Sequence, residues 1–176
     1  MINPSELIFV VDENNNPQKP QVRSFAHKNN YWHRTSGIWV VNKDKEILCQ
    51  KRSMKKDSNP GIWEAFFGGH LLANEEYIDN AVGEVGEELG LTIKADELIP
   101  YKVLASDKPT HREFQGIFVL PLEKENIDFQ YEKDEIDELS WKSIDELRQI
   151  LLSGKNPAWV QKPWDKEILD WLEILV

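Results

Sequence analysis

The sequence predicts an α/β fold in which helices sandwich a mixed β-sheet. Three observations carry this. Runs rich in β-branched and aromatic residues at 35–41 and 112–122 read as strands; a long segment at 75–89 repeats its apolar residues at helical spacing; and two further amphipathic helices follow near the end of the chain. Strands interrupted by two or three helices pack as a layered α/β sandwich.

Taken in order, Leu7 to Asp12 is a short strand candidate, followed by the turn-rich E-N-N-N-P-Q-K-P. Residues 1–30 are thus expected as an N-terminal β extension, peripheral to the main sheet. His27 and His33 flank the next loop. Thr35 to Val41 then forms a strand, Asn42 to Lys45 a polar turn, and E-I-L-C-Q-K-R the returning arm of a hairpin. On that arm Ile47, Cys49 and Lys51 face one way and Leu48, Gln50 and Arg52 the other. A loop with a Pro60-Gly61 turn leads into a short strand ending at Gly68 and Gly69.

Asn74, Glu75 and Glu76 read as a helix start, because an Asn side chain accepts free N–H groups and early carboxylates suit the positive helix end. Gly90 supplies the stop. At roughly 100° per residue, Ile78, Ala81, Val82, Val85 and Leu89 share a stripe that must face a core. Beyond it, T-I-K-A-D-E-L-I-P-Y-K-V-L-A-S gives a connecting strand and S-D-K-P-T-H a loop bordering a pocket. On the strand over 112–122, Phe114, Gly116, Phe118 and Leu120 share one side. The charged stretch 123–135 reads as a surface loop. Ser143 and Glu146 form a capping box that opens a helix through Leu152. A final helix around Asp165 to Leu175 packs on the other face of the sheet or on a partner such as a second copy of the chain.

Composition sets the bounds. The chain has 176 residues, enough for one domain with a substantial core, to which seven Trp and seven Phe contribute. A single cysteine, Cys49, excludes an internal disulfide and fits a reducing compartment; flanked by apolar residues, it reads as a small buried side chain. The start M-I-N-P-S-E-L lacks the basic-then-apolar order of a signal peptide, and no apolar run approaches the roughly 20 residues of a membrane span. A soluble, cytoplasmic protein is expected. The net charge of −10 argues against broad contact with a nucleic-acid polymer, which needs a basic surface. A small phosphorylated ligand stays compatible, because a bound metal reverses the local sign.

The chemistry concentrates on the helix after Gly69. Glu84, Glu87 and Glu88 fall together on one face at i, i+3 and i+4, where they repel one another, and no cation is interleaved between them. Such a face is either solvated or a cage for a hard divalent cation, for which Mg2+ or Mn2+ suits carboxylate oxygens.

The ordered pattern is more specific. Gly69, five residues, Glu75, seven residues, position 83, then Glu84, Val85, Glu87, Glu88, Gly90 and Leu91 resembles the Nudix hydrolase signature G-x5-E-x7-R-E-U-x-E-E-x-G-U, where U is apolar. Eight of nine positions match; the family arginine is replaced by Gly83. The resemblance implies one Nudix domain over 1–176, a Nudix-type α/β/α sandwich with a mixed sheet, and a loop–helix motif over 69–91.

The upstream segment is similar to the isopentenyl-diphosphate isomerase branch of that superfamily. His27 and His33 precede the first long strand, Arg52 and Lys56 are separated by three residues, a Pro-Gly-x-Trp follows, and Gly69-His70 closes the segment. The isomerase carries a proton-transferring Cys immediately before its Gly-His pair. Here that position is Gly68, and a hydrogen atom cannot do acid–base work. The resemblance therefore points to a hydrolase-type relative lacking the isomerase chemistry.

By that resemblance, the activity is metal-dependent cleavage of a phosphoanhydride bond in a nucleoside di- or triphosphate or a nucleoside diphosphate derivative. Glu84, Glu87 and Glu88 are the implied ligands for Mg2+ or Mn2+, with the Gly69 carbonyl beside them. Glu84, Glu87 and Glu113 are the implied catalytic carboxylates; Arg52 and Lys56, with Arg112, are the implied phosphate contacts. His27, His33 and His70 resemble a separate metal site suited to a borderline transition ion. In the family the motif arginine holds the residue at Glu75 and orients a metal-binding glutamate. Gly83 removes it, which implies a slower or differently supported site with Arg112 or Arg34 as substitute. A non-catalytic phosphate-ligand binding domain is the alternative that Gly83 motivates. Trp32, Trp39, Trp63 and Trp141 offer rings for a base, although core packing explains most aromatics.

Overall fold

A computed structural model of the chain describes residues 6–56, 58–109, 111–122 and 127–175. The elements are β1 (Leu7–Ile8), β2 (Gln21–Val22), α1 (Arg23–Lys28), β3 (His33–Asn42), β4 (Glu46–Arg52), β5 (Trp63–Glu64), α2 (Tyr77–Leu89), a 3-10 turn at Ala95–Glu97, β6 (Ile99–Lys108), β7 (His111–Leu122), β8 (Ile136–Ser143), α3 (Ile144–Leu152) and α4 (Asp165–Leu175).

The main sheet runs β5-β4-β3-β7-β6, with β8 added on β4. β3 and β7 pair in parallel over ten residues, from His33 opposite Glu113 to Asn42 opposite Leu122. The neighbouring pairs, β3 with β4, β4 with β8 and β6 with β7, are antiparallel, so the sheet is mixed as predicted.

Period-2 alternation along the central strands supplies two cores. Ile38, Val40, Leu48, Phe118 and Leu120 face α2, which buries Ala81, Val85 and Leu89 against them. Trp39, Val41, Ile47, Cys49, Ile117 and Val119 face the opposite way and are covered by Leu147 and Leu151 of α3 and Ile168, Leu169 and Leu172 of α4. The layers are α2, sheet, then α3 with α4, which is the α/β/α sandwich expected. Cys49 is buried and free, its thiol pushed up to about 12 chiefly by burial.

The helix ends follow their chemistry. Ser143 Oγ accepts the Glu146 N–H while the Glu146 carboxylate accepts the Ser143 N–H, the predicted capping box. Gly90 closes α2 at φ +68°, with its N–H on Gly86 O and the Leu91 N–H on Val85 O. The start of α2 differs from expectation. Asn74 sits in the left-handed region at φ +67° and does not cap; the helix begins at Tyr77 behind Glu76. Glu75 instead folds back to accept the Leu72 N–H at 2.8 Å.

Three other segments depart from the sequence reading. The strand expected over Leu7 to Asp12 shortens to Leu7–Ile8, followed by isolated bridges at Val10 and Val11. The opening region is also not peripheral: Phe9 donates to Leu71 O at 2.8 Å, Ile8 pairs with Leu72, and α1 brings His27 to the site. The loop expected at Ser106 to His111 is a hairpin in which β6 runs to Lys108 and pairs it with His111. Of the charged stretch 123–135, residues 123–126 lie outside the described residues. The remainder packs down, with Gln130 donating its N–H to Leu89 O and Glu135 paired with Lys56. Among the described residues no helix is long and apolar enough to cross a membrane.

Candidate active site

A cavity of about 430 Å³ opens between α2, the Gly68–His70 segment, the start of β7 and the loop after β4. Its floor is acidic. Glu84, Glu87 and Glu88 of α2 all line it, joined by Glu64 from β5. Glu88 is 8 % exposed and accepts the Gly68 N–H at 2.9 Å. Glu87 is exposed, at the rim.

The glycines before the helix allow this approach. Gly68 has φ +141°, and a Cβ there falls 2.2 Å from Ser36 O; a Cβ on Gly69 falls 1.9 Å from Glu84 Oε1. The Gly69 carbonyl accepts the Ser36 N–H at 3.0 Å, so one of its two lone pairs is already engaged.

Burial and mutual repulsion keep protons on this floor. The Glu84 carboxyl is held well above its ordinary range by burial and by Glu88, Glu87 and Glu75. Glu88 is pushed up to about 7 by burial and Glu64, against the opposing Gly68 N–H bond. Crowded oxygen donors without a balancing cation fit a hard divalent ion.

Facing the carboxylates are the expected cations. Arg52 donates to Glu64 at 3.2 Å and to Ser58 O at 3.0 Å, and Lys56 is paired with Glu135; both line the cavity. Arg112 is not brought there. Its Nε donates to Asp107 at 2.7 Å and its guanidinium lies 5.9 Å from the Trp32 ring. Arg34 is also engaged elsewhere, bonded to Asn15 at 2.8 Å and stacked on Phe9 and Tyr77. Neither arginine occupies the place of the family arginine at Gly83, where a Cβ meets nothing within 4 Å.

Glu113 is buried on the far wall of the cavity. Thr35 Oγ1 donates to it at 3.1 Å, His111 Nε2 lies 3.2 Å from it, and Lys162 forms an ion pair with it. Burial raises its carboxyl, but the His111 bond and the Lys162 charge outweigh this and hold it well below the carboxylate range. It is ionised and already fully engaged.

Beside it the three predicted histidines converge. The His27, His33 and His70 nitrogens lie within 4.8 Å of one another, with His27 Nε2 and His70 Nε2 2.8 Å apart. His111 joins them, its ring centroid 5.1 Å from that of His33 and 5.7 Å from that of His27. Burial, together with neighbouring positive charge, lowers His27 to about 4, and burial lowers His33 to about 4 and His70 well below its ordinary value. His33 Nδ1 must donate to Tyr31 O at 2.9 Å, since a carbonyl only accepts, which leaves a bare lone pair on Nε2. That Nε2 is buried without a hydrogen-bond partner. Neutral imidazoles with an orphaned nitrogen fit a borderline transition metal.

Sequence reasoning missed Glu64, Asn80, His111, Glu135 and Lys162, which all line the cavity. His111 carried a readable signal, standing two residues before Glu113 and so on the same strand face. Glu64 follows the Pro-Gly-x-Trp run. Lys162 and Glu135 reach the site only through tertiary folding. Trp32, Trp39, Trp63 and Trp141 are not among the cavity's lining residues; Trp39 is a core side chain and Trp63 stacks on Trp159.

A glycine loop over an acidic helix, set on a mixed sheet inside an α/β/α sandwich, defines a fold and site class that the comparisons name. The NUDIX domain model matches residues 31–172, and the chain belongs to the Nudix family. An uncharacterized Nudix hydrolase of Clostridium acetobutylicum is 30% identical over 153 residues, covering 83% of this chain and 74% of that protein. Isopentenyl-diphosphate Delta-isomerase 2 of Photorhabdus laumondii is 25% identical over 169 residues, covering 95% and 92%. Among solved structures, DR0079 from Deinococcus radiodurans shares the fold with a TM-score of 0.72 at 18% identity, over 95% of this chain and 99% of that one.

Two outcomes follow from this geometry. Gly68→Cys places a side chain at φ +141° against Ser36 O, so it should lower the thermal midpoint and confer no isomerisation of isopentenyl diphosphate, read by melting and product analysis. Glu88 is pushed up to about 7, so if a divalent ion binds through it, calorimetric titration with Mg2+ should show affinity rising from pH 5 to about 7 and levelling above.

Proposed function

We propose that the protein is a divalent-metal-dependent hydrolase of phosphoanhydride bonds, acting on a nucleoside di- or triphosphate or a nucleoside diphosphate derivative. The single observation supporting this most directly is the carboxylate floor of Glu84, Glu87 and Glu88 lining one cavity with Arg52 and Lys56. Glu84, Glu87 and Glu88 hold Mg2+ or Mn2+, which when bound draws charge off the phosphate oxygens and activates water. Arg52 and Lys56 exchange their carboxylate partners for substrate phosphate oxygens and orient the chain of phosphates. Glu87, the exposed member of the three, would take a proton from the attacking water. Names among the relatives support the hydrolase class: the Clostridium acetobutylicum protein is a Nudix hydrolase, and a structural neighbour from C. elegans is an Ap4A hydrolase.

Glu113 serves by holding Thr35, His111 and Lys162 in place. His27, His33 and His70, with His111 adjacent, form a second metal site of nitrogen donors. Gly68 speaks against isomerase chemistry, while Gly83 keeps a non-catalytic binding domain as the second reading.

Phosphate and pyrophosphate release should be screened with Mg2+ or Mn2+ over nucleoside di- and triphosphates, nucleotide sugars and dinucleotides. Turnover with at least one class is expected, falling by about a hundredfold or more in Glu87→Gln. Nucleotide-dependent thermal stabilisation without any product would favour the binding domain. For the histidines, Co2+ should give a visible absorption band that His33→Ala abolishes; an unchanged band in that variant would sink the second site.

A further inference from the structure

We infer that Asn80 is the positioning residue of the metal site, doing with a neutral amide what the arginine absent at Gly83 would do with a charge. The inference rests on the metal-site reading above. Asn80 is 6 % exposed and stands one helical turn before Glu84 on α2, inside the cavity lining. Its Nδ2 donates to Glu75 Oε2 at 3.1 Å and to His70 O at 3.2 Å, and its Oδ1 accepts the Ser36 hydroxyl at 2.5 Å. One buried side chain thereby ties α2 to β3, to the Gly69–His70 segment, and to Glu75.

Each tie fixes a neighbour of the carboxylate floor. Ser36 is bonded through its N–H to Gly69 O, against whose residue Glu84 packs. Among the described residues Glu75 accepts from the Leu72 N–H and Asn80 Nδ2, and its charge acts directly on Glu84. Without Asn80, Glu75 loses that side-chain donor beside a crowd of like charges. Arg34 is bonded to Asn15 and Arg112 to Asp107 instead, and Arg23 exerts its charge on His27 and His70. A neutral amide with two donor hydrogens and one acceptor satisfies Glu75, the His70 carbonyl and the Ser36 hydroxyl at once. A guanidinium, with no acceptor, cannot do so.

Space at Gly83 supplies the test. Its Cβ position is open, and it lines the same cavity as Glu75, so an arginine introduced there starts without a clash at Cβ. Mn2+ binding is measured by calorimetry or by spin resonance of free Mn2+ in the wild type, Asn80→Ala, Gly83→Arg and the double variant, with circular dichroism and thermal melting alongside. Expected is a Kd about 10- to 100-fold weaker in Asn80→Ala with the helix signal intact, and recovery of most of that loss in the double variant. The double variant should keep the lowered melting midpoint, because an arginine at position 83 does not replace the bonds to Ser36 and His70. A purely structural role would lower the melting midpoint and leave the Mn2+ Kd unmoved, which overturns the proposal; so does a double variant no tighter than Asn80→Ala. Asn80→Ser, smaller but polar, replaces Asn80→Ala in both comparisons should the latter not fold. Wild-type protein that binds no Mn2+ would instead overturn the metal-site reading itself.

Discussion

The structure depends on forcing carboxylates together where water is scarce. Glu88 is buried on α2, and a buried carboxylate needs a donor; the Gly68 N–H supplies it at 2.9 Å. That bond requires the chain before the helix to turn its amide inward, which the backbone does at φ +141°, a conformation open to glycine. Gly69 then has to pass so close to Glu84 that a β-carbon does not fit. At Gly68 a β-carbon would meet the Ser36 carbonyl, and at Gly69 it would push the Glu84 carboxylate aside.

The rest of the cavity balances that acidic floor without neutralising it. Arg52 and Lys56 already have carboxylate partners in Glu64 and Glu135, and Lys162 is paired with Glu113. The lining therefore holds its cations in charge-assisted contacts rather than as bare charges. Lys56 and Arg52 only partly offset the burial and crowding that hold Glu84 and Glu88 above the ordinary carboxylate range, whereas Glu113, paired, is held well below it.

Local signals in the chain foretold much of this. The alternation along residues 35–41 and 112–122, the α2 stripe of Ala81, Val85 and Leu89, and the Ser143–Glu146 box are short-range patterns, and each appears in the fold. The carboxylate triad was legible because helical spacing alone places its members together. Residues that meet through sheet pairing were legible only in part. His33 neighbours Glu113 because β3 and β7 run parallel in that register, and His70 reaches Thr35 through an isolated bridge. No spacing in the chain encodes either. Lys162 and Glu135 come from segments distant in sequence, and Asn74 misled because its side chain suits a cap while its backbone takes the left-handed turn before one. The arginines offered as substitutes at Gly83 failed for a related reason: sequence shows that a charge exists, and only the fold shows that Asn15 and Asp107 already hold it.

The two donor sets in the cavity differ in kind, and proton affinity separates them further. The α2 carboxylates present hard oxygen atoms and retain protons up to about 7 at Glu88, so acid competes for this pole first. The histidines present nitrogens lowered to about 4 at His27 and His33, so mild acidification leaves them neutral. Burial produces both effects with opposite sign, because it disfavours whichever form is charged: the deprotonated carboxyl on one wall, the protonated imidazole on the other. Burial thus shifts the oxygen donors of α2 and the nitrogen donors beside Glu113 in opposite directions.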